Sequence, residues 1–132
     1  MPVAKQLSIF LENRPGILAR ICSILSENSV NILALSVHDT VDHAVVRLIV
    51  DHPTKALLLL ESEELYVMEQ DVVVVDVDNR PGVLADVACK LAEADINIHY
   101  AYCTATQEQL HGCLVMKTDS PEKAAEILSN FF

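Results

Sequence analysis

Two stretches of this chain combine residue types suited to holding a small zwitterion: Asn13-Arg14-Pro15-Gly16-Ile17-Leu18 and Asn79-Arg80-Pro81-Gly82-Val83-Leu84. An asparagine amide both donates and accepts hydrogen bonds, so it can face an ammonium and a carboxylate alike. Glycine lets a ligand approach the backbone closely. If a helix starts at the Pro-Gly, its first N–H groups have no partner within the helix and carry a partial positive charge, which suits an α-carboxylate at Gly16 to Leu18 and at Gly82 to Leu84. A second asparagine, Asn31 or Asn97, follows each stretch at the same distance. The same residues also make a sound turn and helix start in which the asparagines only satisfy backbone groups. Both roles stay open at this level, and Arg14 and Arg80 read equally well as solvated side chains.

These stretches belong to a duplication. Every matched pair is 66 residues apart, and positions 11–37 share ten identities in 27 with positions 77–103, most other pairs exchanging one small or apolar residue for another. A period of that length, present twice, describes two copies of one small domain, expected at residues 1–70 and 71–132. Domains of this size bury barely enough apolar surface to stand alone, so the copies are expected to share an interface. Glu69-Gln70-Asp71 is too short to be a flexible linker.

Composition narrows the function classes. The chain is 52% hydrophobic, with 9 basic against 19 acidic residues and a net charge of −10, which argues against a nucleic-acid partner. No apolar run approaches the ~18 residues of a membrane span and no secretory core opens the chain, so no membrane partner and a cytoplasmic location are expected. Cys22, Cys89, Cys103 and Cys113 lack C-x-x-C spacing and read as free thiols. His38 and His43 flank an acidic turn, but no histidine or cysteine spacing matches a metal site, and neither metal nor cofactor is expected. Cys103 near His99, Tyr100 and Tyr102 is the best nucleophile candidate, yet a strand carrying one thiol is ordinary packing. No catalytic residue is assigned.

The positioning elements follow from periodicity. Gln6–Leu11 alternates as a strand; Pro15 fits the first position of a helix with Ile17, Leu18, Ile21 and Leu25 as its apolar stripe, repeated by Val83, Leu84, Val87 and Leu91. Strands are expected over Asn31–His38 and His43–Val50, and again over Asn97–Thr104 and Leu110–Met116. The register then moves from 66 to 68, because the second hairpin loop is two residues longer. Pro53 and Pro121 open second helices, and Tyr66–Glu69 makes a fourth strand. The order strand, helix, strand, strand, helix, strand is an α+β, ferredoxin-like βαββαβ sandwich, here in two tandem copies. The second copy lacks its final strand, which leaves an expected open edge. Val72-Val73-Val74-Val75 is apolar on both faces and Ile32-Leu33-Ala34-Leu35 nearly so; helices cover one face, and a partner subunit in a homodimer is expected on the other.

The turns and the Val30-Asn31-Ile32 and Ile96-Asn97-Ile98 strand entries resemble the ACT domain, a regulatory amino-acid-binding module, over both copies. The resemblance implies domains placed side by side and paired through their second strands into an eight-stranded sheet. It implies effector sites at that seam, between the turn after the first strand of one domain and the second-strand start of its neighbour. A serine-binding member of the family uses a histidine two residues before the turn asparagine; Leu11 and Val77 stand there, which removes the basis for serine specificity. Asn13, Asn31, Asn79 and Asn97 match the family's binding asparagines. The implied protein senses a small amino acid and signals to a separate metabolic enzyme or regulator; a ligand-free oligomerisation module and a small enzyme are the alternatives.

Overall fold

The computed structural model describes residues 3–12, 14–40 and 43–130. Ten elements follow in order: β1 (Val3–Leu11), α1 (Ile17–Glu27), β2 (Ile32–Asp39), β3 (Ala44–Val50), α2 (Pro53–Ser62), β4 (Tyr66–Asp78), α3 (Val83–Glu93), β5 (Ile98–Thr104), β6 (His111–Thr118) and α4 (Pro121–Ser129). They form two compact units. One holds Lys5–Gln70; the other holds the described residues from Asp71 onward together with Val3 and Ala4. The fold is the ferredoxin-like repeat expected, antiparallel throughout the registered pairs. No helix of the described residues is long and apolar enough to cross a membrane.

In the first unit the strands run β2-β3-β1-β4, and in the second β4-β6-β5. The expected fourth strand does not stop at Glu69. It continues as one 13-residue strand and is both the last strand of the first unit and the first of the second. Pairing through second strands, implied by the resemblance, is not what the described residues show: β2 pairs with β3 and β5 with β6, each at the end of its strand order. The described residues form a six-stranded sheet, where the resemblance implied eight strands. The edge of β4 expected to stand open has β1 as its neighbour among the described residues. Val3 and Ala4, at the start of β1, join the second unit, and Val3 packs against its core.

Each unit buries one helix-facing core. Ile21 and Leu25 of α1 and Ala56 and Leu60 of α2 meet Leu7, Ile9, Val46 and Leu48 of the sheet. Val87 and Leu91 of α3 and Ala124 and Leu128 of α4 meet Val73, Val75, Leu114 and Met116. Leu84 is the exception in the helical stripe, 49% exposed. Alternation breaks where it was hardest to read: the ladders shift between Ile32 and Ala34 and between Ile98 and Tyr100. Such a bulge turns one residue out of the pleat, so Leu33 is 54% exposed while its neighbour Ala34 is buried.

The opposite sheet face corrects another expectation. Val72 and Val115, which the pleat directs away from the helices, are fully buried within the single chain, so their apolarity requires no partner subunit. Gln6 and Ser8 are buried on that face too and are satisfied locally: the Gln6 amide donates to Ser8 Oγ at 3.2 Å, and Ser8 Oγ donates to Gln70 Oε1 at 3.1 Å.

The helix starts also differ from expectation. Pro53 and Pro121 do open α2 and α4. Pro15 and Pro81 instead lie in turns ahead of their helices, with Gly16 (φ 89°, ψ −13°) and Gly82 (φ 90°, ψ −9°) as the left-handed N-caps. The Ile17 N–H reaches Arg14 O, and the Val83 N–H reaches Arg80 O, both at 3.4 Å. Proline second and left-handed glycine third define a type II turn. Gly82→Ala should therefore cost about 1–2 kcal/mol through backbone strain, since its Cβ would meet only Arg80 Nη1 at an ordinary 4.0 Å. Gly112→Ala should cost more, because its Cβ would lie 2.8 Å from Thr104 O. Urea unfolding of both variants checks the order.

Candidate functional site

Three things meet where β4 ends. The type II turn at Arg80 to Val83 reverses the chain into α3 without a side-chain cap. The first intrahelical bond runs from the Asp86 N–H to Gly82 O at 2.9 Å, so the amides of Leu84 and Ala85 lie ahead of the helical ladder. Thirdly, the β5–β6 hairpin closes down beside the turn. Asn79 holds it there: its side-chain amide donates to Thr106 O at 2.7 Å and to Gln109 O at 2.8 Å, and its backbone N–H donates to Leu110 O at 2.9 Å.

The turn's charges are paired with each other. Arg80 reaches Asp86 Oδ2 at 3.1 Å and Asp78 Oδ2 at 3.9 Å, and Asp78 Oδ1 is 3.5 Å from His111 Nδ1. All are substantially solvent-exposed, so these pairs order the turn more than they stabilise the fold. In the first copy Arg20 stands where Asp86 stands, and it pairs with Glu63 at 2.7 Å. Arg14 therefore has a like charge at the position that anchors Arg80.

Turn, helix start and hairpin enclose a cavity of about 350 Å³. Asp78, Asn79, Arg80 and Gly82 line its turn side; Val77, Val83, Leu84, Ala85, Cys103, Ala105 and Gly112 supply the rest. Its volume is at the low end for ligand pockets (~300–1,000 Å³). The exposure of Leu84 is thus explained: it faces this cavity instead of the core.

Of the residues singled out in sequence, Asn79, Arg80, Gly82, Val83 and Leu84 come together here, with Pro81 in the turn between them. Asn97 does not. It is exposed just ahead of β5, at the end of that strand away from Cys103, its amide 3.5 Å from His99 Nδ1. Arg14, Pro15 and Gly16 form the matching turn of the first unit, and Ile17 and Leu18 pack against that unit's core. Asn13 lies outside the described residues. Asn31 donates its backbone N–H to Asp51 Oδ1 at 2.9 Å and lines a separate hollow with Cys22, Ser26, Ser29, Val30 and Ile32. Sequence reasoning missed Ala105 and Gly112 and read Cys103 only as a weak nucleophile. The signal was available at Gly112, since glycine inside a strand marks close approach of another backbone; Thr104 O is that backbone.

Comparison with known proteins places the chain. The family model described as ACT domain pair matches residues 1–131. The chain belongs to the ACT domain pair family. Among solved structures, a protein from Bacteroides thetaiotaomicron is similar at 34% identity and TM-score 0.89, over 98% of this chain and 88% of that one. The regulatory subunit of aspartate kinase from Thermus thermophilus, in ligand free form, shares the fold at 19% identity and TM-score 0.70, over 100% and 98%. That from Thermus flavus does so at 19% and 0.66, over 98% and 96%. No curated protein matches. ACT membership supports a small-molecule-binding regulatory role.

Two outcomes follow for the second unit. Asn79→Ala removes both amide donors from the hairpin carbonyls and should lower stability by about 1–2 kcal/mol. Hydrogen exchange should rise at Thr106 to Leu110 and not in α4. The second concerns Cys113: burial, then the Asp76 carboxylate, then Cys103 push its thiol above the ordinary range. Because the thiolate is the reactive form, alkylation of Cys113 followed by peptide mass spectrometry should reach half its limiting rate at a higher pH than a free cysteine peptide does.

Proposed function

We propose that this ACT pair is a sensor that binds a small amino acid in the cavity of its second unit and signals occupancy to a separate enzyme or regulator. The observation that carries this is the juxtaposition of helix-start amides and polar turn with an apolar hollow. The α-carboxylate meets the N–H groups of Leu84 and Ala85, where the helix dipole favours an anion. With both amide protons of Asn79 committed to the hairpin, its oxygen is what it offers, and an acceptor beside the Asp78 carboxylate suits an α-ammonium. A first site at Asn13 to Leu18 is part of the same proposal. So are ligand-binding roles for Asn31 and Asn97. The aspartate kinase regulatory subunits of like fold support an enzyme as the partner. No catalytic role is proposed.

A specific observation favours self-association, and we include a homodimer in the reading. Phe10 and Tyr66 form an edge-to-face pair at 5.5 Å on the helix-free face of the first unit, beside Met68, and all three are exposed, Tyr66 by 66%. Apolar rings in such a patch mark interaction surfaces. A ligand-free oligomerisation module would use the same patch, and binding separates the two readings. Calorimetry with all twenty amino acids at millimolar concentration should detect heat for at least one. Silence across the panel, with a dimer by light scattering, would leave only the oligomerisation module.

A further inference from the structure

We infer that the second unit's cavity selects amino acids with an uncharged, apolar side chain; this rests on the amino-acid reading above and adds what the side chain must be. The duplication supplies an internal comparison. In β4–β6 Val77 lies opposite Gly112, while in β1–β3 the equivalent Leu11 lies opposite Ala44. The first copy is thus one carbon larger at each of two facing positions. Cys103, opposite Leu114, takes the place of Val37, opposite Val46. Ala105 takes the place of Asp39. All four exchanges enlarge the second copy's space or remove charge from it, and Val77, Gly112, Cys103 and Ala105 all lie on the cavity wall.

Polar side chains have little to meet there. The Asn79 donors are held by Thr106 and Gln109, and Arg80 is held by Asp86 and Asp78. Both lie on the turn side, where the α-carboxylate and α-ammonium bind. Beyond them the wall is Val77, Val83, Leu84, Ala105 and the Cys103 thiol. A hydroxyl or charged group placed against these loses its water without replacement. An aliphatic or thioether side chain gains from the same burial, about tenfold to a hundredfold in affinity.

Cys103 lines the cavity and is exposed in the empty protein, so it reports occupancy independently of heat. The test is a titration of the intact protein with leucine, isoleucine, valine and methionine against serine, aspartate and lysine. It is read by calorimetry and by the rate of iodoacetamide labelling of Cys103. The apolar set should bind about tenfold or more tightly than the polar set and slow the labelling. Ala105→Asp, at an exposed loop position, should remove most of that preference with an unchanged melting curve, and Val77→Leu should weaken the larger ligands most. Equal or tighter binding of serine, aspartate or lysine, with Cys103 protected, overturns the selectivity while leaving the amino-acid site standing. Apolar binding that leaves Cys103 labelling unchanged overturns the placement. Absence of binding by all seven overturns the selectivity, and silence across all twenty amino acids overturns the amino-acid reading as well.

Discussion

The left-handed backbone of Gly82 is the constraint on which the site depends. A strand that must turn at once into a helix lying on its own sheet needs a reversal within four residues, and a type II turn supplies it only if its third residue accepts a φ of 90°. Glycine does so without a Cβ penalty. The consequence is that α3 starts with no side chain folded over its end, leaving the amides of Leu84 and Ala85 beside the cavity. A serine or aspartate cap would have stabilised the helix and occupied the same amides. The turn keeps the helix end available at the expense of a cap.

Asn79 works from the other side of that arrangement. Its three hydrogen bonds fix the β5–β6 hairpin against the turn, and that hairpin carries the far wall of the cavity, Cys103, Ala105 and Gly112. Gly112 then lets the two hairpin backbones approach more closely than any side chain would allow. The motif residue that reads most like a ligand contact in sequence is therefore first a clamp. In the proposed site it acts through the shape it maintains and through its amide oxygen.

The repeat made the fold legible. Two aligned copies doubled every weak signal, so that Pro53 and Pro121 confirmed each other as helix starts, and Val87 with Leu91 echoed Ile21 with Leu25. What stayed hidden was non-local. No periodicity tells that Tyr66 and Asp78 belong to one strand shared by two units, nor that Val3 packs with the unit that resumes at Asp71. Pro15 and Pro81 were misplaced because proline suits both the first helical position and the second position of a turn, and only the glycine's φ decides. The turn half of the site could be read from consecutive residues. Its hairpin half, Cys103, Ala105 and Gly112, required the strand register.

Whether the first turn of α3 receives a ligand carboxylate, as proposed, is read from amide chemical shifts in a ¹⁵N-labelled sample titrated with leucine. Saturable shifts should concentrate at Gly82, Leu84 and Ala85 and extend to Cys103 and Gly112. Saturable shifts confined to residues remote from this cavity, such as Asn97 and His99, with the α3 amides unmoved, would contradict it.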